Sequence, residues 1–159
     1  MKLKNLVKVC SKERSRGALQ NVNVRKPDDG STVCEATDGH ILVRITYAKG
    51  EGPCEMAVLA AGQYTPDDWA DLVCKARPAI PVVDALPFPD TTQVIPAETS
   101  ATAITAIGID LALIIKLASI LDVGGAKLMF TSNIGPIRIA HDEPGEGSLV
   151  AVIMPWRIQ

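Results

Sequence analysis

Proline placement is the feature that most constrains what this chain can fold into. Seven of its 11 prolines fall between residues 48 and 98. Proline fixes φ and removes a backbone donor, so it is excluded from helix interiors and from central strands. The middle of the chain must therefore be largely connection, with Pro78, Pro81, Pro87, Pro89 and Pro96 holding it extended. Regular structure has to come from the two flanks, about 1–47 and 105–159. At 159 residues and 47% hydrophobic content, these can share one sizeable core, so a single domain over 1–159 is expected.

Within the first flank, Leu3, Leu6, Val7 and Cys10 lie at helical spacing, with Lys4, Lys8 and Lys12 on another face. This predicts a short amphipathic helix over 3–12. Leu19, Val22 and Val24 predict a strand, and Lys26-Pro27-Asp28-Asp29-Gly30 a turn. A second strand follows over 31–36, and Asp38-Gly39 turns the chain into a third over 41–47. In the second flank the pattern predicts a strand near 103–109, an Asp110 cap, a helix over 111–121, and strands over 126–131, 136–140 and 149–154. That helix is apolar almost all round, so burial on several sides is expected. Between the flanks, in the irregular connection over 48–104, Thr65-Pro66-Asp67-Asp68 supplies a cap, a first-turn proline and acids against the dipole, predicting one helix over 66–76. The expected fold class is α+β, two helix-plus-three-strand halves forming one domain.

The formal charge of -2 provides no global attraction to nucleic acid. Locally the balance differs: six of the first 16 residues are basic, against one acid, Glu13. Such a cluster suits sequence-independent phosphate contact, and it equally suits a solvated helix face. The second flank's helix carries one charge, Lys116.

No catalytic constellation stands out. His40 and His141 are the only histidines, and no glycine loop or Ser-His-Asp spacing supports phosphate binding or acyl transfer. His141-Asp142-Glu143, ahead of Pro144-Gly145-Glu146-Gly147, reads as an exposed acidic loop. Cys10, Cys34, Cys54 and Cys74 lie 20 or more residues apart, without the close pairs of a zinc or dithiol site. They are expected as reduced thiols of a cytoplasmic protein. No metal or cofactor is expected, and no run is apolar enough to be a signal peptide or a membrane span.

Two strings resemble bacterial DNA sliding clamps, the ring-forming processivity subunits of the replicative polymerase. Ala36-Thr37-Asp38-Gly39-His40-Ile41-Leu42 is similar to the ATDGHRLA stretch of the clamp's middle domain. Val152-Ile153-Met154-Pro155-Trp156-Arg157-Ile158-Gln159 is similar to the VVMPMRL ending. A third, Phe88-Pro89-Asp90 through Val94-Ile95-Pro96, resembles the FPDYRRVLP linker. The resemblance covers 3–47 and 88–158, leaving 48–87 unaccounted for. A clamp chain has three domains of two similar halves, and this one has room for about one; with Leu3 already in helical register, no counterpart of the strand that precedes the clamp's first helix is expected.

The resemblance implies a DNA-clamp fold and two surfaces. One is a basic helix face against DNA phosphates, which here falls on Lys4, Lys8, Lys12, Arg14 and Arg16. The other is a hydrophobic pocket for short peptides of polymerases and other clamp clients. It falls on Thr37, Gly39, His40 and Leu42, on Pro96, and on Val152, Met154, Pro155, Trp156 and Arg157. Ile41 stands where the family has arginine and Trp156 where it has a second methionine. The same residues also suit an ordinary hairpin turn and the end of a core strand. Implied partners are double-stranded DNA, a DNA polymerase or other client proteins, and further copies of the chain in a ring or partial ring. The alternative is a monomeric or dimeric peptide-binding module that regulates a host clamp without encircling DNA.

Overall fold

The computed structural model describes residues 3–52, 59–96, 107–121, 125–132, 135–143 and 147–155. Among the described residues, seven strands form one antiparallel sheet: β1 (Val22–Arg25), β2 (Thr32–Thr37), β3 (Ile41–Tyr47), β4 (Gly62–Tyr64), β5 (Lys127–Phe130), β6 (Ile137–Glu143) and β7 (Gly147–Ile153). Their order is β4-β1-β2-β3-β7-β6-β5. The two flanks meet where β3 pairs with β7 in a six-residue ladder running from Ile41 opposite Ile153 to Thr46 opposite Ser148.

Turn chemistry sets the register. At the β2–β3 hairpin, Asp38 Oδ1 accepts the His40 and Ile41 N–H groups, each at 2.9 Å, and Thr37 Oγ1 accepts Gly39 N–H at 3.0 Å. Gly39 adopts φ +93°, and a Cβ there would lie 2.6 Å from Arg16 Nη1. Helix α1 (Pro66–Lys75) starts as its sequence predicts, with Thr65 Oγ1 accepting Asp68 N–H at 3.2 Å, and ends on Ala76 in the left-handed region. Helix α2 (Leu111–Leu121) begins where Asp110 Oδ1 accepts Ala112 N–H at 2.8 Å.

Alternation along the strands sorts their side chains into two faces. Val22, Val24, Cys34, Ala36, Ile41, Val43, Ile45, Ala151 and Ile153 join the core with Leu6, Trp69, Leu72, Leu117 and Ile120 of the helical layer. Trp69, fully buried, stacks edge-on against Tyr64 and donates its indole N–H to Leu3 O at 3.2 Å. Asn5 Nδ2 donates to Ile120 O at 3.2 Å, which joins the first helix to α2. The opposite face carries Asn23, Arg25, Glu35, Leu42, Arg44, Arg138 and Val152, and the proline-rich connection crosses it.

Several expectations change. The segment expected as an amphipathic helix over 3–12 is a 3-10 helix, Leu3–Lys8. Leu3, Leu6 and Val9 are all buried, and their spacing of three matches the 3-10 period. Helix α2 buries only Leu117, Ile120 and Leu121, while Leu111 and Ile115 are 73% and 70% exposed. One face of it packs on the core and the other is open to solvent, a placement that an all-apolar pattern cannot specify. The connection contains a strand the sequence did not announce, β4, whose three residues pair with β1. Its outer edge is covered when Val82 N–H donates to Gln63 O at 2.7 Å. A Cβ on Gly62 would come within 2.5 Å of Pro81 Cβ, so glycine permits that approach. Of the strand expected near 103–109, residues 103–106 lie outside the described residues, and the remainder holds an isolated bridge at Gly108.

Candidate functional site

A cavity of about 170 Å³ opens on the outer face of the sheet, where β3 begins and β7 ends. Leu42 and Val152 are cross-strand partners on this face and form its floor. The hairpin contributes Thr37, Gly39 and His40 to one side, and Met154, 45% exposed, leans over another. Met154 N–H donates to His40 O at 3.1 Å, so the two rims are tied by backbone. The third wall is the connection, through Pro89, Asp90, Thr91 and Val94, and Leu19 closes the remaining corner.

Six of the ten residues expected at the pocket therefore line one cavity: Thr37, Gly39, His40, Leu42, Val152 and Met154. Pro96 does not line it; its carbonyl instead accepts from Arg138 Nη1 at 3.1 Å, beyond the cavity wall. Pro155 is half-buried next to the rim without lining the cavity, and Trp156 and Arg157 lie outside the described residues. The lining residues that sequence reasoning missed are Leu19, Ile41, Pro89, Asp90, Thr91 and Val94. Phe88-Pro89-Asp90 marked the segment, but nothing in it marks which residue faces the sheet.

The lining is mainly aliphatic with a few polar groups, and among the described residues its only charged member is Asp90. Pockets that enclose a drug-sized ligand run to about 300–1,000 Å³. This smaller cavity suits one or two side chains of a chain segment whose backbone stays outside. Among the described residues no three His, Cys, Asp or Glu side chains gather as metal ligands, and no helix is long and apolar enough to cross a membrane.

The basic cluster is on the helical side of the sheet. Lys4, Lys8, Lys12 and Arg14 are exposed. Arg16 is committed elsewhere: Nη1 donates to Asp38 O at 2.7 Å and Nε pairs with Glu13 at 2.8 Å. It stabilises the hairpin turn, which removes it from a row of free cations. Lys116, the one charge of α2, donates to Asp38 Oδ2 at 2.5 Å. Asp38 is thus shared between the pocket rim and α2. Burial pushes its carboxyl up, but the hydrogen bonds from Lys116, Ile41 and His40 outweigh this and hold it below the usual range. Burial raises the Cys10 and Cys34 thiols to about 12, while Cys74 is exposed and Cys54 lies outside the described residues.

No protein-family model matches the sequence, and no curated protein matches it. Solved structures match its fold. The DnaN sliding clamp (DNA polymerase III subunit beta) of Bartonella birtlesii, bound to griselimycin, aligns with a TM-score of 0.69 at 16% identity, over 99% of this chain and 64% of that one. The DNA polymerase III beta chain of Streptococcus pneumoniae gives 0.73 at 12%, over 98% and 62%. The Bacillus subtilis sliding clamp gives 0.66 at 15%, over 99% and 62%. The chain has the α+β fold of the bacterial sliding clamps, as the matched strings led us to expect, and spans less than two thirds of the length of these clamps.

Proposed function

We propose that this chain is a sliding-clamp-like binding protein of DNA replication, one that receives extended client peptides through apolar anchors in the Leu42–Val152 cavity. The observation that carries the reading is the convergence of three distant segments, 37–42, 89–94 and 152–154, on one aliphatic cavity. Met154 gives that cavity an adaptable wall, and an anchor the size of leucine would contribute about 1.5–3 kcal/mol on burial. A labelled clamp-binding peptide titrated against the protein should bind, and Met154→Ala should weaken it about tenfold, or ~1.4 kcal/mol. No binding by the unsubstituted protein would remove the reading. Exposed Lys4, Lys8, Lys12 and Arg14 support a second part of it, sequence-independent association with duplex DNA, with self-association into a ring or partial ring.

The alternative is a peptide-binding module that does not encircle DNA. Two observations favour it: Lys116 is neutralised by Asp38, and the exposed side of α2 presents Leu111 and Ile115 where a phosphate-facing helix would present cations. Light scattering at micromolar concentration distinguishes the two, since a strict monomer without salt-sensitive DNA retention excludes the ring.

A further inference from the structure

The connection that walls the cavity is stapled to the sheet by side chains from three places on its outer face. Gln63 of β4 donates to Leu86 O at 2.5 Å, and Arg138 of β6 donates to Pro96 O at 3.1 Å. Between them, Thr91 reaches down to Glu35 and Arg44. Pro89, Asp90, Thr92, Gln93 and Val94 are all exposed, whereas Thr91 is 4% exposed and Glu35 is 1% exposed. Thr91 Oγ1 donates to Glu35 Oε2 at 2.6 Å and accepts from Arg44 Nη2. Glu35 also accepts from Asn23 Nδ2, Arg25 Nε and Arg44 Nε, each at 3.0 Å. Two cations, Arg25 and Arg44, and two neutral donors, Asn23 and Thr91, therefore saturate one buried carboxylate, and the Thr91 hydroxyl is the connection's contribution to the set. A half-satisfied network of this kind is costly, so the hydroxyl has one favourable position.

We infer that Glu35, Arg44 and Thr91 form a positioning network that fixes the 89–94 wall at the width a peptide anchor needs, so that the cavity is pre-formed before a client arrives. The inference rests on the peptide-binding reading above and extends it: Glu35 and Arg44 do not line the cavity, and Thr91, which does, is seated through the bonds of its hydroxyl to them. Without the Thr91 hydroxyl the wall samples displaced positions, and only the fraction of molecules with the wall seated binds. Apparent affinity then falls by that fraction. With rapid exchange the loss appears in the association rate, and the dissociation rate stays close to that of the unsubstituted protein.

The test is stopped-flow or surface-based kinetics of the labelled clamp-binding peptide with wild type, Thr91→Val and Thr91→Ser, with the thermal midpoint of each measured alongside. Thr91→Val should associate about tenfold more slowly, and Thr91→Ser, which keeps the hydroxyl, should recover most of that lost association rate. Wild-type association by Thr91→Val, even at a lowered melting temperature, overturns the inference and leaves the pocket standing. Absence of binding by wild type overturns the pocket reading and this inference together.

Discussion

Asp38 shows how much one short side chain can hold. Its carboxylate terminates the β2–β3 hairpin through two backbone N–H groups and takes an ion pair from Lys116, while its carbonyl receives Arg16. Glu35 plays the corresponding part under the connection; burial pushes it up, but donors from Arg25, Thr91 and Asn23 hold it low. Both carboxyls therefore lose their protons at lower pH in the folded chain than in the unfolded one. Across that interval the unfolded chain binds more protons, and stability rises with pH. The contribution is complete above the ordinary carboxylate range, about pH 4, and is lost as pH falls through the depressed folded values. Urea midpoints should be level near neutrality and fall below about pH 4. Asp38→Asn should cost about 1 kcal/mol at pH 7, between the values for exposed and buried pairs, and the difference should vanish at the acid end. An equal cost at pH 3 and pH 7 would remove the ion pair from the account.

At the scale of elements, the two helices beside each other on the helical layer differ in what they offer a polyanion. The 3-10 helix Leu3–Lys8 exposes Lys4 and Lys8, with Lys12 and Arg14 following, whereas α2 offers a lysine already paired. If all four free cations contact phosphates, the logarithm of the DNA association constant should fall against the logarithm of salt with a slope of about −3 to −4. Lys4→Glu with Lys8→Glu should abolish retention on duplex DNA at moderate salt, and Lys116→Met should leave it unchanged while lowering stability. Retention that survives the double charge reversal would place DNA contact elsewhere. The elements were legible because periodicity and turn chemistry are local. Asp38-Gly39 bounds β3 and Thr65-Pro66 starts α1 for reasons confined to a few residues. Strand β4 was not legible: Gly62, Gln63 and Tyr64 show no alternation, and they are extended because β1 lies alongside.

For the whole molecule the β3–β7 ladder is the decisive contact, since it joins residues 41–46 to 148–153 in one sheet. The core drawn from both flanks runs continuously beneath it, with Ile41, Val43 and Ile153 in the same cluster as Trp69 and Ile120. We propose on this basis that the chain unfolds as one domain. Denaturation followed by tryptophan fluorescence and by far-ultraviolet circular dichroism should give coincident transitions, and two separated transitions would show that the flanks fold independently.

The amino-acid sequence by itself determined most of the local pieces: strands β1, β2, β3, β5 and β7, helices α1 and α2, the Asp38-Gly39 turn, and the cluster of basic residues in the first flank. It also marked the three strings whose likeness to sliding clamps pointed to the fold. Tertiary structure decided which faces look outward, so that Leu111 and Ile115 of an apolar helix are exposed while Glu35, a charged residue, is buried. It decided that Thr91 and Val94, and not Pro96, complete the cavity. The physical reason is that burial and charge pairing depend on partners many residues away: 56 for Thr91 and Glu35, 78 for Lys116 and Asp38. Local propensity carries no information about such distances.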